Sequence, residues 1–227
     1  MKQSLRVNEI FHSIQGESSW VGSPCVFVRL RGCPHRCHYC DTSYAFTEGS
    51  DFTFDEIVKQ IDSYSTNLVQ LTGGEPLAQE ETIHFMKHLC DLGKTVLLET
   101  CGSLPLDLVD SRVHKIVDIK TPNSGAEESF LSSNLNFLTA NDEIKFVITN
   151  RQDFDWSMAM VVKRDLLSRV KAVHCSPVME QAQDKYVKGC GGLDPELLAQ
   201  WILDSGLQVK CHLQLHKYIW HPTTRGV

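Results

Sequence analysis

Three cysteines lie close together near the start of the chain, at Cys33, Cys37 and Cys40. Their spacing is C-x3-C-x2-C, with Tyr39 directly before the third cysteine and Thr42 two residues after it. Thiolates are soft ligands that bind zinc and iron-sulfur clusters, and both kinds of site usually take four protein ligands. A triplet therefore predicts a metal centre with one position left open for a substrate or cofactor. A zinc site completed by a distant ligand remains an alternative.

Two short apolar runs precede the triplet and a glycine-rich turn. The run at 25–31 leads directly into the cysteines, and the run at 67–71 leads into the turn TGGEP at 72–76. Both runs have the length and the apolar content of buried strands. Backbone without a Cβ can approach a ligand closely, so the paired glycines suit a binding turn. We therefore expect both motifs at the carboxyl ends of strands.

Strand and helix patterns alternate along the rest of the chain. Helical periods occur at 54–64, 79–92, 151–168 and 194–205, and strand-like runs at 95–99, 115–119, 142–149, 170–175 and 207–215. This alternation predicts a parallel sheet whose carboxyl edge carries the ligand-binding loops. That edge would gather the segments 33–42, 72–76, 99–102, 118–123 and 176–178, as in a barrel-like enzyme.

Both ends of the chain carry side chains suited to binding. Apolar spacing in segment 7–18 predicts a packed element, and Gln15 and Glu17 suit a ring that bears both donors and acceptors. Arg29 lies inside a strand, so it must face solvent or pair with an anion, and its planar fork suits a carboxylate. The aromatic tail at 216–227 predicts docking against the site or across a subunit interface.

Composition limits the class of protein. The chain has 227 residues, of which 42% are hydrophobic and 22% charged, so one domain at 1–227 can bury a full core. The absence of a long apolar run and of a signal-peptide pattern predicts a cytoplasmic protein without a membrane span. In that compartment nine cysteines favour metal binding over disulfides. The net charge of -6 disfavours nucleic acid as a partner and favours a small molecule.

The cysteine motif followed by the Gly-Gly-Glu-Pro turn resembles the radical S-adenosylmethionine (SAM) superfamily. Within it, four features are similar to the 7-carboxy-7-deazaguanine synthase family. They are IQGE at 14–17, an arginine two residues before RGC at 31–33, CDT at 40–42 and HKY at 216–218. The resemblance runs from about residue 8 to the end, which is nearly the whole chain.

The resemblance implies a fold and an activity. The fold is an incomplete, modified TIM-like barrel of parallel strands with outer helices, in a homodimer. The reaction converts 6-carboxy-5,6,7,8-tetrahydropterin to 7-carboxy-7-deazaguanine with loss of ammonia, on the route to queuosine. A 4Fe-4S cluster, SAM and Mg2+ are the implied cofactors, and flavodoxin or ferredoxin is the implied reducing partner. The cluster would cleave SAM to a 5′-deoxyadenosyl radical, which takes a hydrogen atom from C6 of the pterin.

The resemblance also implies roles for individual residues. The metal ligands would be Cys33, Cys37 and Cys40 for the cluster and Thr42 for Mg2+. SAM would contact Tyr39, Asp41, Gly74, Lys120, Ser176 and Pro177. The pterin would contact Ile14, Gln15, Gly16, Arg29, Thr72 and His216.

Two positions depart from the family pattern. Many relatives have Ser-Pro-Lys where this chain has DIK at 118–120, so only Lys120 carries over. Some relatives end at the position of Pro222, whereas this chain continues for five more residues. No terminal carboxylate is therefore available at Pro222.

Two other functions remain open at this level. A glycyl-radical activating enzyme would share the cluster motif but would have a large open surface and no pterin-sized pocket. A non-catalytic iron-sulfur or zinc module would not cleave SAM and would leave the glycine turn without a role.

Overall fold

The computed structural model describes residues 3–221 and 224–227. Its strands are β1 Ser4–Ile14, β2 Pro24–Leu30, β3 Ser50–Thr53, β4 Leu68–Gly73, β5 Thr95–Thr100, β6 His114–Asp118, β7 Glu143–Ile148, β8 Ala172–Pro177 and β9 Lys210–Cys211. Its α-helices are α1 Phe54–Ile61, α2 Glu81–Asp91, α3 Arg151–Lys163, α4 Leu166–Arg169, α5 Pro195–Ser205 and α6 His216–Ile219. Short 3-10 helices lie at Ser18–Trp20, Ser43–Phe46, Pro76–Ala78, Pro122–Ser124, Glu127–Ser129 and Ser132–Phe137.

These strands form one sheet in the order β3-β1-β2-β4-β5-β6-β7-β8-β9. Adjacent strands along β2-β4-β5-β6-β7-β8-β9 are parallel, whereas β1 pairs antiparallel with both β2 and β3. Within the described residues β3 and β9 are the two edges, so the sheet stays open. The predicted architecture, an incomplete barrel of parallel strands with helices outside, is confirmed.

Three elements differ from the sequence prediction. Segment 7–18, predicted only as a packed element, belongs mainly to an 11-residue strand that begins at Ser4. The helix predicted over 151–168 is interrupted, because Asp165 adopts a left-handed backbone with φ of 52°. The strand predicted over 207–215 shrinks to the two residues of β9, which pairs with a single neighbour at the open edge.

The helices pack on the outer face of the sheet and bury the main core. Thr53 caps α1, since its hydroxyl accepts from the Glu56 amide and the Glu56 carboxylate accepts from the Thr53 amide. The inner face carries a smaller apolar cluster around Phe11, Phe27 and Leu97, with polar side chains above it. No helix in the described ranges is long and apolar enough to cross a membrane.

Candidate active site

One cavity opens at the carboxyl edge of the sheet and encloses about 1310 Å³ of atom-free space, part of it open to solvent. Most of the residues predicted for the site line it, and they come from distant parts of the chain. They are Ile14, Gln15, Gly16, Arg29, Cys33, Cys37, Tyr39, Cys40, Asp41, Thr42, Thr72, Gly74, Lys120 and His216. Ser176 and Pro177 are buried at the end of β8 and do not line it, whereas the next two residues, Val178 and Met179, do.

The cysteine loop is held in place by backbone hydrogen bonds to two other loops. The amide of His38 donates to the Ser124 carbonyl at 2.9 Å, and the His38 carbonyl accepts from the Gly189 amide at 2.9 Å. Within the loop, Arg36 Nη1 donates to the Cys33 carbonyl at 2.8 Å. The three cysteines are free thiols, and burial raises the pKa of Cys40 to about 11.

The glycine turn packs directly against the cysteine loop. A Cβ added to Gly74 would lie 2.0 Å from the Gly32 carbonyl oxygen and 2.8 Å from Cys33 Cβ. Gly73 has φ of +139°, a conformation that favours glycine. The Glu75 amide donates to the Gly32 carbonyl at 2.9 Å. The glycines of the motif are therefore needed for packing as well as for the approach of a ligand, because only glycine lets these two loops meet.

Arg29 is paired inside the cavity wall rather than solvated. Its Nε lies 2.7 Å from Glu9 Oε1, and the Tyr44 hydroxyl donates to the same oxygen at 2.9 Å. The Arg29 side chain is 14% exposed. The alternative of a solvated surface charge is therefore wrong, while the role of Arg29 toward a substrate carboxylate stays a prediction.

The C-terminal tail docks on the cavity of its own chain. A Cβ on Gly16 would lie 2.0 Å from His216 Nδ1, so the glycine makes room for the imidazole. Lys217 Nζ lies 2.6 Å from Asp41 Oδ2. Burial would raise the pKa of Asp41, but the Lys217 ammonium lowers it to about 2. Of the two aromatic residues in this part of the tail, Tyr218 is 54% exposed and Trp220 is half-buried. The departure noted at Pro222 lies outside the described residues.

Comparison with known proteins identifies the family. Residues 27–163 match the model of the radical SAM superfamily. The 7-carboxy-7-deazaguanine synthase of Chlorobaculum tepidum is 44% identical over 98% of this chain and 97% of its own length. That of Koribacter versatilis is 43% identical over 98% of this chain and 100% of its own. The chain belongs to the 7-carboxy-7-deazaguanine synthase family of radical SAM enzymes.

A crystal structure of QueE from Escherichia coli has the same fold. It superposes with a TM-score of 0.73 at 21% identity and covers 94% of this chain and 95% of that one. At that identity the match supports the open barrel described above. Family membership makes this chain an enzyme, so the alternative of a non-catalytic metal-binding module is wrong.

Membership of the radical SAM superfamily implies a 4Fe-4S cluster and SAM. The described residues fit the cluster, since three unpaired thiols face one cavity that has room beside them. In the described part of the chain, no group of three or more His, Cys, Asp or Glu side chains is arranged around a single metal ion. A 4Fe-4S cluster takes its thiolates on different irons, so it does not need the three sulfurs around one ion.

The departure at 118–120 has a structural counterpart in this radical SAM enzyme. Lys120 Nζ donates to Asp118 Oδ2 at 2.9 Å, and the ammonium lies 5.6 Å from the centre of the Tyr39 ring. Asp118 Oδ2 is also 3.4 Å from Lys145 Nζ, and Asp118 Oδ1 is buried without a hydrogen-bond partner in the described residues. An aspartate here thus links Lys120 to the cavity floor.

Sequence reasoning missed the residue at the centre of that floor. Lys145 lies in β7, inside the apolar run IKFVI, and its side chain is 5% exposed. A lysine in the middle of a buried strand must find carboxylate partners, and this was the available signal. Its partners are Glu17, from the loop after β1, at 2.6 Å and Glu99, from β5, at 2.5 Å.

Proposed function

We propose that this radical SAM enzyme converts 6-carboxy-5,6,7,8-tetrahydropterin to 7-carboxy-7-deazaguanine with loss of ammonia, in 7-deazapurine and queuosine biosynthesis. One observation carries the proposal. Gln15, Arg29 and His216, which come from three separate parts of the chain, line the same cavity as the cysteine loop. The relatives at 43–44% identity carry the name of this activity. A glycyl-radical activating enzyme would leave these three residues without a role.

The proposed mechanism is catalysis by positioning. When bound, the cluster and SAM supply the chemistry that removes a hydrogen atom from the substrate. Arg29 binds the substrate carboxylate at one end of the cavity, and the polar floor around Gln15 binds the ring at the other. His216 and Lys217 hold the tail over the mouth and reduce the access of water. Two fixed ends orient the reacting carbon toward the cofactor side.

Further parts of the proposal concern the cofactor set and the assembly. SAM would contact Tyr39, Asp41, Gly74, Lys120 and the Ser176–Pro177 turn, and the pterin would also contact Ile14, Gly16 and Thr72. A flavodoxin or ferredoxin would reduce the cluster in the cytoplasm. The chain would act as one domain and as a homodimer, to which the half-exposed Tyr218 and Ile219 could contribute.

Mg2+ is a proposed third cofactor, held by the Thr42 hydroxyl. Thr42 lines the cavity two residues after Cys40, and its Oγ1 lies 3.8 Å from that cysteine sulfur. Mg2+ commonly takes one or two protein oxygens together with waters and substrate oxygens. A single hydroxyl beside a substrate carboxylate therefore fits a weakly held ion that binds together with the substrate.

Removing this hydroxyl is expected to alter the response to Mg2+ more than the binding of SAM. In Thr42→Ala, the Mg2+ concentration that gives the half-maximal rate should rise by about tenfold. This corresponds to a loss of about 1.4 kcal/mol, the strength of one hydrogen bond. Thr42→Ser keeps the hydroxyl and should restore most of the response. Product formation across a Mg2+ titration measures both variants, and an unchanged Mg2+ response in Thr42→Ala would remove Thr42 from the metal site.

Loss of the Arg29 guanidinium is expected to weaken pterin binding. A hydrogen bond to a charged group contributes about 1.5–3 kcal/mol, so Arg29→Ala should raise the KM for the pterin roughly 10- to 100-fold. Arg29→Lys keeps the charge but loses the planar fork and should recover the KM only in part. Steady-state kinetics at saturating SAM gives the comparison. A wild-type KM in Arg29→Ala would mean that Arg29 pairs with Glu9 and does not bind the substrate.

The direct test of the proposed function is an anaerobic reconstitution with iron and sulfide. The protein is then supplied with SAM, Mg2+, a reductant and 6-carboxytetrahydropterin, and products are followed by mass spectrometry. Appearance of 7-carboxy-7-deazaguanine supports the proposal. Formation of 5′-deoxyadenosine alone would mean that the substrate is a different molecule.

A further inference from the structure

Five residues form a closed circuit of hydrogen bonds across the cavity floor, here named the Lys145 ring. Its members are Gln15, Glu17, Gln70, Glu99 and Lys145. Lys145 Nζ donates to Glu17 Oε2 at 2.6 Å and to Glu99 Oε1 at 2.5 Å. Gln70 Nε2 donates to Glu99 Oε2 at 2.7 Å, and Gln15 Nε2 donates to Gln70 Oε1. The Glu17 amide donates to Gln15 Oε1 at 3.1 Å and closes the circuit.

Lys145 is surrounded by carboxylates of the protein. Its third contact is Asp118 Oδ2 at 3.4 Å, so the three ammonium N–H groups have three carboxylate oxygens around them. Burial would lower the pKa of Lys145, but Glu17, Glu99 and Asp118 raise it well above its usual value. The lysine therefore stays charged, and its hydrogen bonds to Glu17 and Glu99 hold these two carboxylates in place.

The two glutamates keep acceptor capacity toward the cavity. Each oxygen of Glu17 has one donor, from Lys145 or from Gln214 at 2.8 Å. Each oxygen of Glu99 also has one, from Lys145 or Gln70. A carboxylate offers about four acceptor positions, so each glutamate retains further ones. Glu99 is 20% exposed and Glu17 13% exposed, and both line the cavity.

The charge of the ring favours a ligand that is rich in donors. Two carboxylates and one ammonium leave a formal charge of -1 on the floor. Burial and Glu17 raise the pKa of Glu99, and Lys145 opposes this shift. Burial would likewise raise the pKa of Glu17, but Lys145 and His216 lower it strongly. At least one carboxylate beside Lys145 is thus firmly ionised.

We propose that Lys145 is the positioning residue that fixes Glu17 and Glu99 as acceptors for the amino-pyrimidine edge of the substrate ring. This inference rests on the proposed function and deepens it. A 2-amino group beside a ring N–H presents two donors side by side, which matches a carboxylate. A ring with a carbonyl at that position would place its own acceptor oxygen against the acceptor oxygens of the carboxylate. Sites that bind a polar group in this way reject analogues that lack it.

The test compares two stable aromatic ligands on the reconstituted enzyme with SAM. 6-Carboxypterin carries the 2-amino group, and 6-carboxylumazine carries a carbonyl in its place. Calorimetry gives both dissociation constants. We expect the wild-type protein to prefer the pterin by at least about 100-fold, and Lys145→Met to reduce that preference to less than about tenfold. Lys145→Arg restores a buried cation and should recover part of the preference.

Lys115 provides a matched control. It is another buried lysine, with a side chain 3% exposed and paired with Asp142 at 3.1 Å, but it does not line the cavity. Lys115→Met should lower the free energy of unfolding as Lys145→Met does, because each leaves a buried carboxylate unpaired, yet it should keep the ligand preference. A general loss of packing would affect both variants alike.

Three results would overturn the inference. One is a full pterin preference in Lys145→Met. Another is an unchanged preference in Glu99→Gln, which replaces an acceptor oxygen by a donor and does not depend on Lys145→Met being folded. A wild-type enzyme that binds both ligands equally would also overturn it, while product formation on the same preparation decides the proposed function separately.

Discussion

Cys37→Ala is expected to abolish the formation of 5′-deoxyadenosine. Cys37 is 9% exposed and lines the cavity with Cys33 and Cys40, so its loss removes one of three thiolates available to the cluster. Two thiolates on a loop cannot hold a cluster that the family binds with three. The reconstituted variant should contain little iron and sulfide and lack the visible absorption of a cluster. Iron analysis and mass spectrometry of SAM products measure both effects.

Cys190→Ala is the matched control for this experiment. Cys190 is a partly buried free thiol that packs against the apolar side chains around Cys37 and Tyr39, but it does not line the cavity. Its substitution should leave the iron content and the cleavage of SAM unchanged. If Cys190→Ala instead lost the cluster, the site would use a fourth cysteine. If Cys37→Ala still made 5′-deoxyadenosine, the assignment of the cluster to this loop would fail.

Gly74→Ala is expected to damage both the stability of the fold and the binding of the cluster. The added Cβ would lie 2.0 Å from the Gly32 carbonyl oxygen and 2.5 Å from its carbon, both of which are backbone atoms. The cysteine loop must move to relieve this overlap, because no flexible side chain can yield instead. Overpacking of this kind typically costs about 1–3 kcal/mol. Urea unfolding measures the cost, and iron content measures the displacement of the loop.

Gly191→Ala controls for the effect of adding a methyl group to a glycine. A Cβ at Gly191 would meet no atom within 4 Å, and its backbone is not in the left-handed region. Its free energy of unfolding and its iron content should match the wild-type protein. Wild-type values in Gly74→Ala would mean that the glycine turn and the cysteine loop can separate without cost, contrary to their close packing.

Local patterns were enough to predict the architecture and the family. The strand before the cysteines, predicted over 25–31, is found at Pro24–Leu30, and the strand before the glycine turn ends at Gly73. The period of the apolar residues indicates the alternation of strands and helices, and the motif spacing is fixed along the chain. Such signals do not depend on distant partners, so the sequence is sufficient for them.

Element ends were harder to predict where tertiary contacts decide them. The two-residue β9 lies at the open edge, where the number of paired residues depends on the neighbour and not on β propensity. The antiparallel β1 was not recognised as a strand, although it is the longest of the described strands. Its pairing with β3 joins Ser4 to Thr53, which are far apart in sequence.

By itself, the sequence determined the cysteine loop, the glycine turn, the parallel sheet and the family. The tertiary structure decided which polar residues form the floor of the cavity. Lys145, Glu17 and Glu99 are distant in sequence, and each has an ordinary alternative as a surface charge or a cap. A buried charge is acceptable only beside its partners, and those partners are known only once the strands are placed next to one another. The Lys145 ring is therefore a property of the fold.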